Sequence, residues 1–393
     1  MILPGLTLAR RNSLQRGALA VGLIALALSL FGAFFNSPQF FHSYLLAYLF
    51  WIGLPLGCFA IVMLHHLVGG TWGFVIQRLL ESGIRTFPLM ALFFLPLLFG
   101  MTEIYPWARP ETVAADPILQ QKALYLNVPF FIARAVLYFA IWISAGHFLN
   151  RWSLEQDRST DGSLTGRLQN LSGPGLVLYG LTVTFSVIDW IMSLEPRWYS
   201  TIYGMIFMVS YGLAALAFVV VAAFLLAGEK PLAQVITPSQ FHDLGNLLLA
   251  LVMFWAYMAF SQFLLVWVEN LRDEIPWYLS RTTGGWQFIA LALILFQFIL
   301  PFVLLLSRVT KLSAGFLSVV ALVIIFMRWV DLFWFVAPAF HPGRFYFHWL
   351  DVATSAGIGG VWLAAFLFYL KQRSLLPLHD PRFAKMMEEG QET

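Results

Sequence analysis

The chain has 393 residues, 60% of them hydrophobic and 11% charged, with a net charge of +3 and a mean hydropathy of +0.78. A soluble domain carries about 25% charged residues, so this chain cannot cover itself with a water-facing surface. Its single cysteine, Cys58, excludes a disulfide framework, a cysteine-ligated zinc site and a self-contained iron–sulfur cluster.

A helix needs about 20 apolar residues to cross a bilayer core. The sequence predicts ten such spans, near 17–35, 43–65, 85–104, 126–149, 174–194, 202–227, 243–268, 286–307, 313–337 and 349–370. The first run, Gly17 to Phe35, lacks a small-residue cleavage site and reads as a span, not a leader. The segment at about 70–84 carries Arg78 and Glu81 among apolar residues at helical spacing, with Arg85 just after it. We expect a short amphipathic helix on the surface there. The longest loops, about 104–125 and 150–173, are polar and read as connectors. The expected organisation is an N-terminal segment 1–16, a ten-span domain 17–370 and a charged C-terminal tail 371–393.

Most of the 23 Lys and Arg residues fall on the side of the termini if the chain starts in the cytoplasm. By the positive-inside rule both termini are then cytoplasmic. The expected fold is an all-α polytopic membrane protein. A weak internal echo joins spans 5 and 9: Asp189-Trp190 with Pro196, and Asp331-Leu332 with Pro338, as in a fold with duplicated halves.

A charge inside a span costs about 2.5–3.5 kcal/mol on insertion scales, so ionisable residues there are candidate functional groups. Span 5 carries Thr182, Ser186, Asp189 and Ser193, spaced four, three and four, which puts them on one helical face. Span 9 carries Arg328 and Asp331, and span 4 carries Arg134 and Tyr138. Span 10 opens with His348, Asp351 and Ser355, and span 7 carries Asn246, Tyr257 and Ser261. Most of these acids and bases gather in the outer half of the bundle, as in a proton half-channel or an outward polar pocket. The inner half offers mostly hydroxyls, then His65 and His66. The plainer reading is that the charge pairs only hold helices together. The eight histidines sit mostly at helix ends, against intramembrane haem ligation. His65 and His66 point about 100° apart on a helix, against a metal pair. No Walker A sequence occurs, and nothing points to nucleic acid.

Residues 65–100 (HHLVGGTWGFVIQRLLESGIRTFPLMALFFLPLLFG), 254–279 (FWAYMAFSQFLLVWVENLRDEIPWYL) and 347–367 (FHWLDVATSAGIGGVWLAAFL) resemble the ActF-type subunits of bacterial alternative complex III. These are the smaller of that complex's two NrfD/PsrC-like integral membrane chains. The resemblance implies two four-helix bundles flanked by one extra helix at each end of the chain. It also implies a place in a quinol:cytochrome c or quinol:acceptor oxidoreductase of respiratory or photosynthetic electron transport. The partners implied are the larger paralogous subunit, an iron–sulfur subunit, multihaem cytochrome c subunits and a terminal oxidase. Haem c and iron–sulfur clusters would reside in those partners. Menaquinone is the one small ligand the resemblance brings with it, although the family's quinol site belongs to the larger paralogue. The family also suggests proton conduction through both integral subunits. The location implied is the bacterial cytoplasmic membrane. A secondary ion- or proton-coupled transporter and a purely structural membrane anchor are the competing readings.

Overall fold

In a bilayer no water is available to backbone N–H and C=O groups, so apolar runs of this length must satisfy them internally as helices. A computed structural model describes residues 8–159, 163–230, 232–377, 380 and 383. Among them there are ten helices long and apolar enough to cross a membrane, and no strand. The spans are Arg10–Phe35, Ser37–Val68, Gln77–Phe99, Val128–Gln156, Ser163–Leu194, Tyr203–Leu226, Pro238–Glu269, Trp286–Leu306, Ala314–Phe340 and Trp349–Leu370; we number them 1 to 10. The chain is a multi-pass, all-α membrane protein. Residues 1–7 of the expected N-terminal segment, and all of the tail beyond 377 except 380 and 383, lie outside the described residues.

Local signals start several spans cleanly. Asn36 separates spans 1 and 2 and accepts the Gln39 N–H at 3.2 Å. Asn127 caps span 4 through the Phe130 N–H at 2.9 Å. Proline follows each of these caps in the first turn, where its missing N–H has no helical partner to lose. Span 8 widens into a π-helical stretch, Leu293–Ile299, immediately before Pro301. A proline ring displaces the carbonyl four residues back, and the wider turn accommodates that displacement.

Spans 2–5 and spans 6–9 form two four-helix groups that abut through spans 2 and 6. These two are the most buried spans, with 83% and 72% of their apolar windows inside the molecule. Their close approach depends on Gly53 and Gly57: a Cβ on Gly57 would lie 2.0 Å from the Tyr211 carbonyl oxygen. Spans 1 and 10 pack on each other, and span 10 also lies on span 2. The crossing of spans 1 and 10 is again made of glycine, since a Cβ on Gly360 would lie 2.5 Å from the Ala18 carbonyl oxygen. Small residues at such crossings are how membrane helices gain contact area without a hydrophobic driving force.

Two expectations are corrected. The 70–84 segment is not a surface helix. Thr71–Phe74 is a single turn, and Gln77–Ile84 is a helix buried at every residue that leads into Phe87–Phe99. Its charges pair with one another and with distant residues, which removes the need for water. The expected 150–173 connector is largely helical, because spans 4 and 5 extend to Gln156 and from Ser163. Polar composition there marks the edge of the hydrocarbon and not the end of the helix. The 104–125 connector is folded into short helical pieces, among them Pro110–Ala115 and Pro117–Lys122.

Candidate functional site

Buried polar side chains gather at both ends of the bundle. Two groups lie toward the end where span 5 finishes and span 10 starts, and another lies near the middle of span 9. In the first, Asp189 of span 5 is fully buried and accepts from Arg134 Nε and Nη2, both at 2.8 Å, and from the Tyr138 hydroxyl at 2.8 Å. The guanidinium donates its third edge to the Tyr125 carbonyl at 3.0 Å and lies 3.9 Å from the Tyr125 ring centroid. The two-pronged geometry is the strong form of a carboxylate–arginine contact.

Thr182, Ser186 and Ser193 share the buried face of Asp189. Their hydroxyls donate back to their own helix: Thr182 to the Leu178 carbonyl, Ser186 to Val183, Ser193 to Asp189. Thr182 also accepts from Trp142 Nε1 at 2.9 Å. The stripe is real, but each donor is already spent on the backbone.

In the second group, Arg328 and Asp331 of span 9 form a buried ion pair, with the Trp255 indole beside the carboxylate. Gln297, in the π-helical stretch of neighbouring span 8, is fully buried, and its amide has no hydrogen-bond partner among the described residues.

The third group centres on Asp351 at the start of span 10. Its carboxylate accepts from the Ser43 hydroxyl at 2.5 Å, the His348 N–H at 2.9 Å and, more weakly, Gln39 Nε2 at 3.5 Å. His348 caps the helix, accepting the Leu350 N–H at 3.3 Å. Gln39 reaches His341 Nε2 at 3.3 Å. Beside it His42 stacks on Phe340 and meets the Glu103 carbonyl at 3.2 Å. Burial pushes the His341 imidazole below its ordinary range, against the opposing pull of Asp351. No ion pair to Asp351 forms among the described residues, which sets it apart from Asp189 and Asp331.

The end where span 1 starts and span 10 finishes holds a fourth group the sequence reading missed. Glu81 is fully buried between two guanidinium groups, Arg78 Nη1 at 2.6 Å and Arg373 Nη1 at 2.8 Å. It also accepts from Ser153 at 2.6 Å and Gln77 at 2.9 Å. Arg78 continues to Asp157. The i, i+3 spacing of Arg78 and Glu81 could have been read as a pair, but Arg373 lies 292 residues away from its partner. The expectation of an inner half with mostly hydroxyls is therefore corrected.

His65 and His66 are fully buried at this same end. The His65 ring packs edge-on to Phe74 at 4.9 Å and Trp72 at 5.2 Å, and Gly73 fits only because it lacks a side chain. The span 7 candidates are not brought together with the others. Tyr257 is 64% exposed on the outward face, Ser261 is half-buried, and Asn246 instead accepts from Lys311 at 2.6 Å. Span 7 buries a single stripe, through Leu248, Val252, Trp255 and Gln262. The helical face shared by Tyr257 and Ser261 is another one. Arg281, in the short helix Ile275–Thr282 between spans 7 and 8, is buried: it pairs with Glu195 at 2.5 Å and lies over Trp277 at 3.8 Å.

No protein-family model matches this chain, and no curated protein matches it.

Proposed function

We propose that this chain is an ActF-type integral membrane subunit of a quinol:acceptor oxidoreductase of the alternative complex III class, in a bacterial cytoplasmic membrane. In this reading both termini are cytoplasmic. The chain scaffolds multihaem, iron–sulfur and paralogous membrane partners, and it passes protons coupled to quinol oxidation in the paralogue. The resemblance of residues 65–100, 254–279 and 347–367 supports complex membership. The pair of four-helix groups with spans 1 and 10 beside them agrees with it.

One observation carries the proton role: Asp351 is a buried carboxylate held by neutral donors and by no cation among the described residues. Where no counter-ion cancels the charge, a proton can do so. The neighbouring His341, His348, Ser43 and Gln39 supply groups through which it could arrive. Further in, the Tyr48 and Tyr179 hydroxyls are buried without a hydrogen-bond partner among the described residues, and such groups accept a passing donor or water. Asp189, locked by Arg134 and Tyr138, suits a fixed strut. That saturation favours a scaffold role for the Arg134–Asp189 contact.

Two measurements test the reading. Purification in mild detergent should bring down multihaem and iron–sulfur subunits; a lone chain without haem would refute complex membership. In the assembled complex, Asp351→Asn should lower the protons released per quinol oxidised. Unchanged stoichiometry with intact assembly would leave only the scaffold.

A further inference from the structure

At the end of the bundle where span 10 finishes, a cavity of about 390 Å³ lies between spans 3, 4 and 10. Phe87, Pro88 and Ile143 line its apolar part; Arg85, Arg151 and Arg373 line its polar part. Gly146 lets span 4 close on span 3 at its base, where a Cβ would lie 2.7 Å from an Ile84 methyl. Pro88 and Arg151 are exposed on the outside of the bundle, so the cavity opens sideways toward the membrane and not into the interior.

The three guanidinium groups are not equally compensated. Arg151 has Glu155 at 2.9 Å, in an exposed pair worth little. Arg373 is held by Glu81 through Nη1, yet its Nε has no partner among the described residues and its side chain is only 5% exposed. Arg85 has no carboxylate within ion-pair distance among the described residues, and its guanidinium lies 4.3 Å from the Tyr369 ring centroid. The polar half therefore presents surplus positive charge and an unused buried donor, directly beside an apolar wall.

We infer that this cavity is a binding site for the phosphodiester headgroup of an anionic phospholipid, with its acyl chains lying along Pro88 and Ile143. A phosphate oxygen accepts several N–H donors at once, as clustered arginines offer. Basic pockets between membrane helices take anionic headgroups for this reason. A neutral quinone would leave the surplus charge of Arg85 uncompensated. A free inorganic anion would leave the apolar wall unused.

The test is native mass spectrometry of the protein released in mild detergent with the subunits that accompany it, after adding phosphatidylglycerol and phosphatidylcholine together. The wild type should retain phosphatidylglycerol in preference. Arg85→Gln with Arg151→Gln should weaken that retention by about five-fold per arginine, with the thermal unfolding midpoint unchanged. Arg151→Gln alone alters an exposed side chain and should give about one five-fold step, which keeps the test decisive if the double variant misfolds. Equal retention of the two lipids, undiminished retention by the variants, or displacement of phosphatidylglycerol by millimolar inorganic phosphate would overturn the assignment.

Discussion

Asp189 and Asp351 are both carboxylates at the same end of the bundle, yet their partners give them different consequences on mutation. Asp189 neutralises Arg134, which is itself buried. Removing one member of such a pair leaves an uncompensated buried charge, at a cost of about 3–5 kcal/mol. Asp189→Asn should therefore lower the thermal unfolding midpoint strongly in detergent. Asp351 has no ion-pair partner among the described residues, so Asp351→Asn should cost only about 1 kcal/mol of hydrogen bonding. A comparable loss in both variants would contradict the assignment of Asp351 as uncompensated. The pairing of Asp189 was half legible: its own helix announced a buried acid, and span 4 announced an arginine, but no spacing rule joins two residues 55 apart. The Arg328–Asp331 pair was legible because both residues sit on one helix, one turn apart.

At the scale of single elements, the glycines of span 2 decide how closely the two four-helix groups approach. A methyl on Gly57 would collide with backbone of span 6, which cannot move aside as a side chain can. Gly180 in span 5 faces open space, and a Cβ there would meet nothing within 4 Å. Gly57→Ala should thus destabilise the molecule by more than about 2 kcal/mol through overpacking, while Gly180→Ala should be neutral or slightly stabilising. Thermal unfolding of the two variants in one detergent checks this, and equal behaviour would contradict the contact between spans 2 and 6. Span existence was legible from apolar length alone, because backbone satisfaction in lipid leaves no alternative. Span 7 shows the limit. Tyr257 and Ser261 are four residues apart and share a helical face, but only packing decides which face of a peripheral helix turns inward. The buried helix Gln77–Ile84 was misread for a related reason: charge in a short helix signals water unless partners arrive from elsewhere in the chain.

For the molecule as a whole, the network around Glu81 ties spans 3, 4 and 10 together at the end of the bundle where the chain begins and the last span finishes. Arg373 follows the last span and reaches back to the first residues of span 3. Arg373→Ala leaves Glu81 with Arg78, so the expected loss is smaller than for a broken isolated pair, about 1–3 kcal/mol. It should appear as a lower unfolding midpoint and faster proteolysis next to span 10; an unchanged midpoint would mean that the tail contact contributes nothing to stability. The amino-acid sequence by itself determined the class, the ten spans and the ionisable residues within them, because length and hydropathy act locally and a continuous apolar run of about 20 residues crosses lipid as a helix. Tertiary structure alone decided which charges cancel, that Asp351 has no ion-pair partner among the described residues, that spans 1 and 10 are neighbours, and that a buried network joins spans 3, 4 and 10. Those outcomes depend on contacts between residues tens to hundreds of positions apart, and local periodicity carries no information about such contacts.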